Sequence, residues 1–230
     1  MTDMAADTAT AEHLVALAQP ESLAAEEFRR LRTNVQFADV DRPLRTLALV
    51  AAQPGTGKSV IAANLAIAFA QGGKQVILVD ADLVHPSQHL LFDAPAGPGL
   101  TELLAGEATL DQALLSTPAP GLRLLPAGPA PANPAQVLGS ARLESLLAQL
   151  PEFADLVLFD TPALAGLTDG ALFAAKLDGV VLVADCGRTR RDDLRGARDL
   201  LERLHAHLLG VVLNHAEAEA GPLRRLFGRS

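Results

Sequence analysis

The chain has 230 residues, 49% of them apolar, and a net charge of −8, a size and composition that bury a large core in one α/β domain. Its acidic balance argues against broad nucleic-acid binding, which draws its affinity from Lys and Arg set against phosphates. No apolar run approaches the ~18 residues that span a bilayer, Met1 to Asp7 lack the basic start of a signal peptide, and the single Cys186 has no internal disulfide partner, so a cytoplasmic protein with Cys186 as buried filler is expected.

Residues 1–20 are rich in Ala, Thr and Asp without sustained periodicity, and a flexible lead-in is expected there, with order beginning near Glu21. From Ser22 to Phe37, Leu23, Phe28, Leu31 and Val35 fall mostly at helical spacing, which predicts an amphipathic helix with Glu26, Arg29 and Arg32 on its polar face. Pro43 then precedes a first strand over 44–52. The run Leu47-Ala48-Leu49-Val50-Ala51 breaks into Ala52-Gln53-Pro54-Gly55-Thr56-Gly57-Lys58-Ser59 and then into Val60-Ile61-Ala62-Ala63-Asn64, the order strand, phosphate loop, helix. Gly55 and Gly57 allow backbone conformations that turn successive N–H groups inward around an anion. Lys58 is expected on the β- and γ-phosphates of ATP and the Ser59 hydroxyl on Mg²⁺, with the positive end of the helix behind them. Pro54, Thr56 and Val60 complete the stretch expected to touch the nucleotide. A chance glycine-rich turn is the competing reading, and the flanking strand and helix weigh against it.

Gln75 to Val79 is continuously apolar after its first residue, as a strand buried on both faces of a parallel sheet is, and it ends in Asp80-Ala81-Asp82. Residues 83–99 read as a long loop, followed by short helices at 100–105 and 110–116. Leu122 to Leu125 is the next strand, and Pro134 suits the first turn of a helix that breaks and resumes from Ser140 to Leu150. Ala154 to Phe159 forms a strand closing on Asp160-Thr161-Pro162, and a helix over 169–176 leads to the strand Gly179 to Ala184. A helix from Thr189 to about His205 is expected with Thr189 as N-cap and Asp192 in its first turn, before the last strand, Leu209 to Leu213. The alternation predicts a single P-loop α/β domain over 21–215, a mostly parallel sheet with helices on both faces, and a tail over 216–230.

In an open parallel sheet the ligand lies beyond the carboxyl ends of the strands, which singles out Asp80, Asp82 and Asp160. Asp80 and Asp82 share one side of an extended segment, where they hold Mg²⁺ or take a proton from an incoming hydroxyl. Asp160 has the form of a Walker B acid. The competing reading for each is a turn or strand cap. Asn214 closes the last strand, either presenting its amide to a nucleobase or acting as a simple turn residue. His85 with His89 and His205 with His207 lack the further ligands that zinc requires.

The motifs together resemble the cytoplasmic P-loop tyrosine kinases of bacteria that accompany capsule and exopolysaccharide assembly, the CpsD/CapB type, within the ParA/MinD-like subclass of the fold. The likeness runs from Glu26-Glu27-Phe28-Arg29-Arg30-Leu31-Arg32-Thr33-Asn34 through the P-loop, Val79-Asp80-Ala81-Asp82, Pro131-Ala132-Asn133-Pro134 and Leu158-Phe159-Asp160-Thr161-Pro162-Ala163. It continues through Thr168-Asp169, Gly187-Arg188-Thr189-Arg190-Arg191 and Gly210-Val211-Val212-Leu213-Asn214. It implies that Lys58 and Ser59 bind phosphates and Mg²⁺, that Asp82 and Asp160 help hold the metal, and that Asp80 is the base toward a tyrosine hydroxyl. It also implies a ring-like homo-oligomer docked through Glu26, Arg29 and Arg32, and an activating membrane polysaccharide co-polymerase at the inner face of the plasma membrane. Two departures stand out: Val84 occupies a position where the family usually has Arg, and these 230 residues contain no tyrosine, so the acceptor tyrosine is expected on a partner protein.

Two further functions compete with a kinase. A regulatory ATPase of the same system would change a membrane complex through its nucleotide state alone. A partition switch of the ParA/MinD type would carry an early P-loop lysine that reaches across a dimer, where this chain has Gln53.

Overall fold

The computed structural model describes residues 13–39, 42–164 and 169–216. Its strands are β1 (Thr46–Ala51), β2 (Val76–Asp80), β3 (Leu115–Ser116), β4 (Leu122–Leu125), β5 (Leu156–Asp160), β6 (Gly179–Asp185) and β7 (Leu208–Asn214). They pair into one seven-stranded sheet ordered β3-β4-β2-β5-β1-β6-β7. Every neighbouring pair is parallel except β3 with β4. The central strands β1, β2, β5 and β6 are buried along their whole length, the reason their sequences are apolar without alternation.

Alternate residues serve two separate cores, as the period of a strand dictates. Leu47, Leu49, Leu78 and Leu158 face one side, against α1 (Val15–Ala18), α2 (Leu23–Gln36) and α3 (Lys58–Gln71). Ala48, Val50, Val79 and Phe159 face the other, where α5 (Leu100–Ala105), α7 (Pro134–Leu138), α8 (Ala141–Phe153), α9 (Asp169–Ala174) and α10 (Arg191–Arg203) supply the opposing surface. Phe159 meets Phe173 edge to face there, with ring centroids 5.3 Å apart, a geometry that aligns a ring edge with a ring face. Helices on both faces of a parallel sheet is the architecture expected from the alternation of elements.

Four local expectations differ from the structure. Order begins before Glu21: Leu14 and Ala16 are buried against α3, and residues 1–12 lie outside the described part. The anchor is the Asn64 amide, fully buried in α3. Its oxygen accepts from the Ala16 N–H at 2.9 Å, and its nitrogen donates to the His13 carbonyl at 2.7 Å and the Val60 carbonyl at 2.9 Å. The helix expected over 110–116 is α6 (Leu110–Ala113) alone, because Leu115 and Ser116 pair with Leu124 and Arg123 as an antiparallel edge. Thr189 is not a helix cap; its hydroxyl accepts from the Asp185 N–H at 2.8 Å and closes the turn after β6, while Arg190 precedes α10 without a side-chain cap. Cys186 lies exposed in that same turn rather than in the core.

Asn64→Ala should lower unfolding stability by about 1–3 kcal/mol, because the buried Ala16 N–H and the part-buried His13 carbonyl lose their partner while the helix is undisturbed. Urea denaturation checks it, and an unchanged midpoint would show that the tether carries no stability.

Candidate active site

The chain leaves β1 at Ala51 and enters α3 at Lys58, so the loop between them is held by a strand in the sheet centre and a helix beneath it. Gly55 and Gly57 have φ of +76° and +79°, conformations that side chains resist. At Gly57 a Cβ would also run into the Asn214 amide nitrogen. That amide donates to the Thr56 carbonyl at 2.8 Å, and its oxygen accepts from the His215 N–H at 3.0 Å. Asn214 therefore braces the loop from β7, a contact that neither expectation for it included. Gln53 ties the start of the loop to α10, its amide donating to Asp193 at 2.8 Å.

The loop walls a cavity of about 470 Å³ lined by residues 53–60 with Asp82, Val84, His85, Pro162 and Ala163. All the expected loop residues, Pro54 to Val60, line it. Lys58 is buried at its floor, where its ammonium donates to Asp160 Oδ1 and lies 3.9 Å from Asp82 Oδ2. Asp80 and Asp160 are register partners at the ends of β2 and β5, so pairing of adjacent strands sets two carboxylates side by side. Asp160 is fully buried, and its second oxygen accepts from Gln88 Nε2 at 2.7 Å.

Asp80 is turned away from the cavity. Its Oδ1 accepts from the Asp82 N–H at 3.2 Å and its Oδ2 from the N–H groups of Ser87 and Gln88, each at 2.9 Å. Burial first, then the neighbouring charge of Asp160, push its pKa up to about 7, against the lowering effect of the Gln88 and Ser87 N–H groups and Lys58. Backbone donors engage both Asp80 oxygens, and Asp80 is not among the residues that line the cavity. Asp82 is the carboxylate that lines the cavity. Burial raises its pKa as well, opposed chiefly by Lys58 and by the His85 N–H.

Gln88 carried no signal in the sequence. It sits on α4 (Gln88–Leu91), one turn inside the segment expected as loop, and no spacing rule marks a glutamine as a site residue. The remaining sequence candidates lie elsewhere: Arg29 pairs with Glu26 at 2.6 Å and donates to the Pro20 carbonyl, and Arg32 donates to the Ala68 carbonyl at 3.1 Å, near the end of α3. These three residues form a surface distant in sequence from the P-loop and engaged within their own chain.

The arrangement fits a Mg²⁺-nucleotide. The two left-handed glycines form an anion cradle at a helix N-terminus, and the Thr56 hydroxyl is buried without a partner beside it. Among the described residues no group of three or more His, Cys, Asp or Glu forms a metal cage, and Mg²⁺ bound with phosphates takes only one or two carboxylates. Ser59 and Asp82 line the cavity, with Asp160 behind Lys58.

A glycine cradle after the first strand, a lysine facing carboxylates on two neighbouring strand ends and this strand order define a P-loop NTPase of the ParA type. The ParA family model, described as NUBPL iron-transfer P-loop NTPase, matches residues 44–222. Tyrosine-protein kinase YwqD of Bacillus subtilis is 38% identical over 88% of this chain and 85% of its own length. The crystal structure of the chimerical protein CapA2B2 superposes with a TM-score of 0.84 at 36% identity, covering 88% of this chain and 89% of that one. The septum site-determining protein MinD of Pyrococcus horikoshii, complexed with Mg-ADP, superposes with a TM-score of 0.62 at 26% identity over 74% of this chain and 70% of its own. The chain belongs to the bacterial tyrosine-protein kinases of the CpsD/CapB/YwqD family.

The raised pKa of Asp80 makes stability depend on pH. Its folded value of about 7 exceeds the ordinary 3.8, so the folded chain holds a proton that the unfolded chain releases. That contribution is complete below about pH 4 and is lost as the pH rises through about 7. The melting temperature of the wild type minus that of Asp80→Asn should therefore fall across this window, and a difference constant with pH would refute the shift.

Proposed function

We propose that the protein is an ATP- and Mg²⁺-dependent protein-tyrosine kinase that transfers the γ-phosphoryl group to a tyrosine of another polypeptide. The observation that carries this reading is the convergence of Lys58 and Asp82 on the glycine-cradled cavity, with Asp160 paired to the lysine behind it. In the transfer, the tyrosine oxygen bonds to the γ-phosphorus as the bond to the bridging oxygen of ADP breaks, and the phenolic proton passes to a carboxylate. Asp82 has the position for that acceptor or for the metal shell, and Asp80 supports it through its hydrogen bond to the Asp82 N–H. The loop N–H groups and Lys58 orient the phosphates, which requires Lys58 to exchange its Asp160 contact for the nucleotide. Ser59, with Asp82 and Asp160, would hold Mg²⁺, which would supply charge neutralisation at the phosphates.

The absence of tyrosine from these 230 residues supports an acceptor on another polypeptide. The resemblance to capsule and exopolysaccharide kinases supports a role in polysaccharide polymerisation and export. It also supports activation by a membrane co-polymerase at the inner face of the plasma membrane. Among the described residues no helix is long and apolar enough to cross a membrane. A ring-like oligomer through Glu26, Arg29 and Arg32 belongs to the same reading. One observation favours a second: Val84, 47% exposed at the cavity rim, supplies no cation where the family usually has Arg, which fits a regulatory ATPase without transfer to protein.

Radiolabelled ATP separates the two. With Mg²⁺, a co-polymerase cytoplasmic segment and a tyrosine-bearing substrate, label should reach the substrate tyrosine. Lys58→Met should remove both transfer and tight ATP binding, since an apolar chain replaces the cation at the phosphates. Release of inorganic phosphate with no label on protein would decide for the ATPase.

A further inference from the structure

The geometry points to Gln88 as a positioning residue of the nucleotide site, one that sets Mg²⁺ affinity by holding Asp160 and the first turn of α3 together; the inference rests on the reading of the cavity as a Mg²⁺-nucleotide site. The side chain is fully buried. Its Nε2 donates to Asp160 Oδ2 at 2.7 Å and to the Ser59 carbonyl at 3.0 Å, and its own backbone N–H donates to Asp80 Oδ2 at 2.9 Å. One residue thus joins the ends of β2 and β5 to the P-loop helix.

Chemistry fixes the orientation of that amide. Both neighbours of Nε2 are acceptors, a carboxylate and a carbonyl, so a flipped amide would set oxygen against oxygen twice. The NH₂ group has two hydrogens, and both are used. The consequence is visible on the other side, where Oε1 is buried with no donor. A glutamine chosen only to fill space would not leave a buried polar atom unpaired, since an apolar side chain of equal length fills the same volume. The two bonds made by Nε2 account for its presence.

The need for them follows from Lys58. Asp160 has two donors, the Lys58 ammonium and the Gln88 amide. When Lys58 turns to nucleotide phosphates, Gln88 is the side-chain donor that remains to keep the buried carboxylate in place and oriented. The second bond, to the Ser59 carbonyl, fixes the residue whose hydroxyl faces the metal position. Partners one step removed from a metal are worth roughly 10–100-fold in affinity or activity, and Gln88 stands one step from both Asp160 and Ser59.

The test uses the intact chain, a fluorescent ADP and MgCl₂. Gln88→Met keeps the length and removes the donor; Gln88→Leu removes the donor with a shorter apolar chain. In Gln88→Met, metal-free ADP affinity should stay within about twofold of wild type, while the Mg²⁺ concentration for half-maximal tightening rises by about 10–100-fold. Gln88→Leu should show the same split between metal-free ADP affinity and Mg²⁺ dependence, which a loss of packing alone would not produce. If Gln88→Met does not fold, Gln88→Leu carries the test. A folded variant with wild-type Mg²⁺ dependence would overturn the role of Gln88 and leave the site reading intact. Wild-type ADP binding indifferent to Mg²⁺ would instead overturn the site reading, and the inference with it.

Discussion

A buried ammonium facing two carboxylates, with a third buried beside them, is the constraint around which this molecule is arranged. Lys58 is buried with Asp80, Asp82 and Asp160 about it, and taking such charges from water is tolerable only if each is paired or neutralised. The fold resolves this in three ways. Asp160 takes the ammonium and the Gln88 amide, Asp82 keeps an edge on the cavity, and Asp80 is surrounded by backbone donors yet has its pKa raised to about 7. The cluster therefore has one cation for more anions than it can satisfy. In the proposed nucleotide site, a phosphate competing for Lys58 would leave the carboxylates in want of positive charge, the condition under which Mg²⁺ would be drawn in. Metal and nucleotide would then be coupled by electrostatics already present in the chain.

The parts of this site that sequence makes legible are those fixed by chain connectivity. Lys58 and Ser59 follow a strand and open a helix, and Asp80, Asp82 and Asp160 follow apolar runs, so their positions at one edge of a parallel sheet are implied before any packing is known. The alternation of elements gives the sheet and its two helical layers for the same reason. What was not legible depends on contacts between distant segments. Asn214 braces the loop 158 residues away in sequence. Gln88 reaches Asp160 across 72 residues. Thr189 looked like a cap because cap chemistry is local, and it lost that role to a tighter turn with Asp185. Leu23, chosen as an apolar helix position, is 80% exposed, since it stands at the first residue of α2, beyond the reach of the core. Residue type alone places Cys186 in the core, and its position in an exposed turn shows how little type says about burial at strand ends.

The site's two supports are of different kinds. On the β7 side the support is a single amide, with Asn214 bonded to the Thr56 carbonyl and leaving no room for a Cβ at Gly57. That glycine is thus required twice, once by its φ and once by the close approach of a neighbouring side chain. On the β2 side the support is a network, running from the Asp80 carboxylate through the N–H groups of Asp82, Ser87 and Gln88. The network orders a segment containing Pro86 and a one-turn helix, neither of which would hold its shape by local propensity.

Helix α3 presents a problem that its own sequence does not solve. Its residues from Ile61 to Ala70 are buried, so it is apolar on every side and has no amphipathic stripe to define which face meets the sheet. Burial alone would accept several rotations about the helix axis, yet Lys58 and Ser59 must point into the cavity. The polar groups along the helix remove that freedom. Asn64 is bonded to the segment around Ala16, Gln71 donates to the Ala16 carbonyl at 2.7 Å, and Arg32 from α2 donates to the Ala68 carbonyl. Each bond satisfies a group that would be costly to bury alone, and each is met at one rotation and one axial position only. The N-terminal segment and α2, which pack beside α3 on the same face of the sheet, therefore fix the direction in which Lys58 emerges.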